Sequence, residues 1–228
     1  MNLKTFFVSL ALILSVLQIN GYSQFTKEQQ ENTTPDDALT MLKEGNQRFV
    51  NGNTVERNSS TEVKNSSKGQ YPYAVLLSCM DSRVDPETLF DQGIGDIFIN
   101  RVAGNISNAD ILGGMEYGCA VVGSKLILVL GHTECGAVKG AIDGAELGNL
   151  TGLLKKIDPA VTSTKFDGDR TSKDKKFVEL VTEENVRLAV EDIRKNSPVL
   201  KAMEDEGKIK IVGGMYDVST GKVTFLED

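Results

Sequence analysis

Five apolar residues stand side by side at Leu126-Ile127-Leu128-Val129-Leu130, with no polar residue among them to turn toward water. A strand without alternation has to be covered on both faces, as in a parallel sheet with helices above and below. Tyr73-Ala74-Val75-Leu76-Leu77-Ser78 repeats this apolar pattern. Asp96 to Asn100, Lys208 to Val212 and Val223 to Leu226 supply three more predicted strands. Helices are predicted between them: Pro86 to Gln92, Ala109 to Val122, Cys135 to Ile142, an amphipathic one capped by Thr182, and one from Ser197-Pro198 to Gly207. The alternation predicts an α/β fold, a single domain around a mainly parallel central β-sheet flanked by helices.

The ends of the chain read differently. Lys4, the apolar run from Phe6 to Leu17, and small residues at Gly21 and Ser23 have the parts of a secretory signal peptide spanning residues 1–23. The run is short for a hydrocarbon core of ~30 Å, although an uncleaved anchor is the other reading. Cleavage after Ser23 places the remaining chain across the inner membrane, in a periplasmic setting, with no stable membrane insertion. Polar residues 24–34 read as a flexible tether, and residues 35–228 as the folded domain. Thr34-Pro35-Asp36-Asp37 opens an N-terminal helical arm, with Ala38, Leu39, Leu42 and Phe49 along one stripe and Asn51-Gly52-Asn53 as the stop. That stripe needs cover from its own domain or from a partner subunit. Asn53 to Gln70 and Thr164 to Lys176 read as loops.

The 228 residues carry a formal net charge of -7, and no basic stripe runs along any periodic segment. A phosphate-rich partner meets net repulsion, so nucleic acid is not an expected ligand. Cys79, Cys119 and Cys135 are too few for a disulfide framework. Two of them read as metal ligands, with a Cys79–Cys135 disulfide as the alternative. Cys119, in an apolar helix, reads as a small buried hydrophobe.

His132 is the only histidine. It follows the strand Leu126 to Leu130 directly, and Cys135 comes three residues later. Cys79 follows its own apolar strand. In an open parallel sheet the carboxyl ends of the strands form the binding crevice, so all three residues are delivered to one edge. Two thiolates and one imidazole suit zinc, and three protein ligands leave a fourth position for a reacting group. Cys135 also opens a helix, whose positive end favours thiolate. Asp81 and Arg83 stand two and four positions after Cys79. An arginine fork can hold a carboxylate beside the metal, or the two can form an ordinary loop salt bridge.

Cys79-Met80-Asp81-Ser82-Arg83 and His132-Thr133-Glu134-Cys135-Gly136 resemble the paired signatures of the β-carbonic anhydrases. Ala38 to Phe49 resembles the family's N-terminal helix, and Asn100-Arg101-Val102-Ala103-Gly104-Asn105 its loop beside the metal. Gly114-Met115-Glu116-Tyr117, Gly136 to Gly140 and Gly213 to Gly221 also match, in the family's order. The resemblance implies one Zn2+ per subunit on Cys79, His132 and Cys135, with Asp81 and Arg83 as an activating dyad. It implies carbon dioxide and bicarbonate as substrates and a homodimer or homotetramer as the working unit. Val102, Ile97 and Gly136 match or adjoin pocket positions.

Closed, bicarbonate-regulated sites of the family use a tryptophan, which this chain lacks, so an open site is expected. With no second histidine the proton route stays open among buffer, Tyr117, Glu134 and a water chain. Two thiolates make zinc a weaker acid than three imidazoles would, which predicts hydration activity rising above neutral pH. Tyr216 and Asp217 read as a structural turn. Two rival functions remain: hydrolysis of carbonyl sulfide or carbon disulfide on the same scaffold, and a non-catalytic zinc- or bicarbonate-binding homologue.

Overall fold

The computed structural model describes residues 25–226, so the expected signal peptide lies outside the described residues. Along the chain these form α1 (Lys27–Asn32), α2 (Pro35–Val50), α3 (Ser59–Ser66), β1 (Ala74–Ser78), α4 (Pro86–Leu89) and β2 (Ile97–Arg101). Then follow α5 (Ala109–Glu116), β3 (Leu126–His132), α6 (Gly136–Ile142), α7 (Gly148–Leu154), α8 (Asp158–Ser163), α9 (Lys175–Asn196), α10 (Pro198–Asp205), β4 (Lys210–Tyr216) and β5 (Val223–Phe225). The sheet order is β2-β1-β3-β4-β5, and only β5 runs antiparallel to its neighbour. This is the mainly parallel α/β sheet that the apolar runs predict.

All seven residues of β3 are buried, as a central strand covered on both faces must be. Side chains alternate across it. Ile127 and Val129 join Val75, Leu77 and Ile211 under Met115, Val186, Val190 and Leu200, on the side of α5, α9 and α10. Leu126, Leu128 and Leu130 join Ala74 and Leu76 on the other side, against Ala38 and Leu42 of α2 and Leu89 of α4. The arm's apolar stripe is therefore covered by its own domain. A third apolar group, including Val138, Leu154, Ile157, Phe177 and Val181, closes over Cys79 and Cys135.

Local chemistry explains the helix ends. Thr34 Oγ1 accepts from the Asp37 N–H at 3.1 Å while Asp37 accepts from the Thr34 N–H at 3.0 Å, a reciprocal cap with Pro35 in the first turn. The long helix α9 starts earlier than its sequence stripe indicates. Asp174 Oδ1 accepts from the N–H groups of Lys176 and Phe177 at 2.9 and 3.1 Å, so Asp174 is the cap. Thr182 lies buried mid-helix and donates to Val178 O at 2.7 Å.

The residues read as a tether include α1, capped by Thr26, whose Gln30 is buried and donates to Pro72 O at 2.7 Å. The expected loop from Asn53 to Gln70 carries α3, capped by Asn58. Helix α5 runs into a wider π-type turn, Tyr117–Val122, where Gly118 lies so close to β1 that a Cβ there would meet Val75 Cγ2 at 2.6 Å. No helix among the described residues is long and apolar enough to cross a membrane.

Candidate metal centre

Strands β1 and β3 are parallel neighbours with Ser78 opposite Leu130. Cys79 follows directly on β1, and His132 ends β3, so both reach the carboxyl edge of the sheet. The chain then turns through Glu134, at φ 59, and delivers Cys135 as the cap of α6. The donor atoms of Cys79, His132 and Cys135 all lie within 4.8 Å of one another, and all three residues are buried. Both thiols are free, so the disulfide reading of Cys79 and Cys135 does not hold.

The tautomer of His132 follows from its neighbours. Nδ1 lies 2.9 Å from Thr133 O and so carries the hydrogen, leaving the lone pair on Nε2. That Nε2 is fully buried and has no hydrogen-bond partner among the described residues. Orphaned buried nitrogens are costly, and coordination of a cation satisfies this one. Ligands about 2.0–2.3 Å from one zinc ion lie roughly 4 Å apart, close to the spread seen here. A soft donor set of two sulfurs and one nitrogen, with an orphaned lone pair among them, fits zinc.

The partnership of the Cys79 and Cys135 sulfurs lowers the Cys79 thiol against the desolvation that opposes it, with further help from the N–H groups of Gly104 and Asp81. The same partnership pushes Cys135 up, against N–H donation from Val138 and Ala137. One negative charge is easily held by the pair. A second calls for a cation.

Asp81 and Arg83 face each other beside this cluster. Arg83 Nε donates to Asp81 Oδ1 at 2.9 Å and Nη2 to Oδ2 at 2.7 Å, and the Arg83 backbone N–H also reaches Oδ1 at 3.0 Å. This fork is the main reason the Asp81 carboxyl is held well below the usual carboxylate range. The carboxylate is therefore turned to arginine.

A sequence profile of the carbonic anhydrase family matches residues 74–223. Carbonic anhydrase 2 of Mycobacterium tuberculosis is 35% identical over 197 residues, covering 84% of this chain and 92% of that protein. The chain belongs to the β-carbonic anhydrase family. Among solved structures, the β-carbonic anhydrase CcaA superposes with a TM-score of 0.66 at 26% identity, covering 83% of this chain and 95% of that one. Tetrameric β-carbonic anhydrases of Sordaria macrospora superpose with a TM-score of 0.67 at 25% identity, covering 73% and 86%. Zinc-dependent interconversion of carbon dioxide and bicarbonate is the activity that this membership carries.

Three residues were expected to form the pocket of this β-carbonic anhydrase. Val102 packs in the apolar group that contains Cys79, and its N–H donates to Ser78 O at 3.1 Å. Gly136 opens α6 on the exposed side of Cys135, with free space where a Cβ would stand. Ile97 is a correction. It pairs with Ala74 at the start of β2, whereas Arg101 pairs with Ser78 at the site edge. Four residues of strand, about 13 Å, separate it from the metal edge, and its side chain belongs to the core beneath α2.

Sequence reasoning missed Arg101 as a brace. Its Nε donates to Cys79 O at 3.2 Å and its Nη2 to Asp81 O at 2.7 Å, which fixes the loop that carries both residues. The only signal was its place in the Asn100 to Asn105 stretch. Of the candidates for proton transfer, Glu134 is ion-paired with Lys139, and Tyr117 is exposed, its ring against Phe98. Cys119 is buried, its thiol pushed up to about 12 by desolvation, as befits a packing residue. Tyr216 stands opposite His132 in the sheet, and Thr133 bonds Tyr216 O and the Val218 N–H, so the turn at Asp217 braces the histidine loop.

Proposed function

We propose that this chain hydrates carbon dioxide reversibly with one zinc ion held by Cys79, His132 and Cys135. The observation that carries the assignment is the orphaned, buried Nε2 of His132 beside two free thiols within 4.8 Å. When bound, zinc supplies Lewis-acid activation of water near neutral pH.

The chain's own residues do the rest. Oδ1 of Asp81 is occupied by two donors from Arg83, while Oδ2 receives one and lies 3.9 Å from His132 Nε2. Oδ2 thus keeps a lone pair toward the metal edge, where it orients a water proton. Arg83 is half exposed and keeps that carboxylate charged. Val102 and the apolar group around Cys79 exclude bulk water from one side, and Gly136 leaves the other side clear for a small linear substrate.

We extend the reading to a homodimer or homotetramer, supported by the tetrameric Sordaria macrospora relatives and by exposed apolar side chains at Met80, Tyr117 and Val121. We also assign the working chain to the periplasm, on the strength of Lys4 and the apolar run from Phe6 to Leu17. Zinc content and stopped-flow hydration measured on one sample test the central claim. About one zinc per chain with hydration activity, both lost in Cys79→Ser, supports it. A folded, reduced, metal-free and inactive chain overturns it.

A further inference from the structure

We propose that Asn185 is a positioning residue for the metal-binding sulfur of Cys79, acting through the backbone at Gly104. The inference rests on the zinc reading of the Cys79 site. Asn185 lies on α9, 4% exposed, far in sequence from the metal edge. Its Nδ2 donates to Gly104 O at 2.8 Å. The N–H of Gly104 in turn donates to Cys79 Sγ at 3.4 Å.

Gly104 is where the backbone most needs holding. It sits at φ 71 and ψ 17 inside the short 3-10 turn Ala103–Asn105 that follows β2. A Cβ at this position would meet Ile157 Cδ1 at 2.5 Å, so no larger residue fits in its place. Glycine at positive φ brings wide torsional freedom with it. The peptide that follows Gly104 is gripped at both ends: Asn105 N–H donates to Val102 O at 3.0 Å, and Asn185 holds the carbonyl. With that peptide fixed, rotation about Gly104 is stopped and its own N–H stays aimed at the sulfur.

The consequence is chemical as well as structural. An N–H directed at a thiolate offsets part of its charge and fixes the sulfur's lone pairs relative to His132 and Cys135. Outer-shell partners of a metal's ligands typically change affinity or activity by about 10–100-fold when removed. A side chain that served only the packing of α9 would change stability and leave the metal alone.

The test uses the purified chain with Asn185→Leu, which keeps the branched shape and loses the donor. Zinc affinity is measured by chelator competition, and the sulfur-to-metal absorption band after cobalt(II) replaces zinc. The expected result is a zinc Kd weakened about 10- to 100-fold, with a shifted cobalt band. Ser197→Ala, which removes the cap of α10 away from the site, serves as the control: it lowers Tm and leaves Kd and band unchanged. If Asn185→Leu does not fold, the smaller Asn185→Ala carries the same measurements. Wild-type Kd and band in a folded Asn185 variant overturn the inference while leaving the zinc site intact. A wild-type chain that binds no zinc overturns both.

Discussion

Oδ2 of Asp81 lies 3.9 Å from Nε2 of His132 while Arg83 grips the same carboxylate with two guanidinium nitrogens. The carboxylate thus touches the metal edge without closing it, and the arginine decides which way it faces. Asp81→Asn keeps the shape but loses the charge and one acceptor. Arg83→Lys keeps the charge but loses the fork. Each is expected to lower kcat/KM about 10- to 100-fold with zinc content unchanged. Stopped-flow assays paired with metal analysis check this, and full activity in both variants removes the dyad from the mechanism.

Zinc should also hold the domain together. The orphaned His132 nitrogen and the paired thiols are buried, so the metal-free fold carries their cost. A ligand at 100 times its Kd adds about 2.7 kcal/mol to folding stability. Stripping the ion with a chelator is therefore expected to lower Tm by several degrees, and added zinc to restore it. In Cys135→Ser the gap between metal-loaded and stripped samples should shrink toward zero. Thermal unfolding with and without zinc reads this directly, and an unchanged Tm on stripping counts against a buried ion.

What was legible in the sequence had a physical reason to be. Leu126 to Leu130 and Ala74 to Leu77 are unbroken apolar runs, and such runs have few ways to be buried. Residues placed directly after them, Cys79 and His132, inherit the edge of the sheet. Helices α1 and α3 were illegible because they are short and polar, and α7 because it is short and carries Gly148 and Gly152, so that propensity assigns such stretches to loops. Side-chain caps at Thr26 and Asn58 hold α1 and α3, and tertiary anchors such as Gln30 and Leu154 hold α1 and α7. Ile97 was misplaced because the resemblance that suggested it does not say which end of its strand lies at the metal edge, and Ile97 pairs with Ala74 at the far end. Arg101 and Asn185 act through carbonyls remote in the chain, and no local pattern announces such contacts.

Gly131 stands between Leu130 and His132, and its missing side chain is what lets α9 approach β3. A Cβ there would meet Val186 Cγ2 at 2.5 Å, Met215 Sδ at 3.0 Å and Thr182 Cγ2 at 3.3 Å. Methionine can swing aside, but Val186 is β-branched on a helix and nearly locked in one rotamer. Gly131→Ala is expected to cost about 1–3 kcal/mol of stability and to weaken zinc binding by displacing His132. The double variant with Val186→Ala should recover part of both losses. Denaturant unfolding of the single and double variants measures the coupling, and strict additivity would show that the two positions do not clash.

Asp96 gives the fold a pH dependence of its own. It is 3% exposed, and its carboxylate accepts from the N–H of Gly93 at 2.8 Å and of Phe25 at 3.4 Å. Burial outweighs those two bonds and pushes its carboxyl up to about 6. The folded chain thus holds this proton more tightly than the unfolded chain, whose aspartates titrate at about 3.9. The stability gained from that proton is complete below about pH 4 and is lost as pH rises through about 6. Asp96→Asn never ionises, so it escapes the loss. Relative to wild type, the variant should gain about 1.4 kcal/mol between pH 5 and pH 8. Urea unfolding of both proteins at the two pH values isolates this group, since every other titration cancels in the difference. A gap that stays constant would mean that Asp96 ionises in the fold as easily as it does in water.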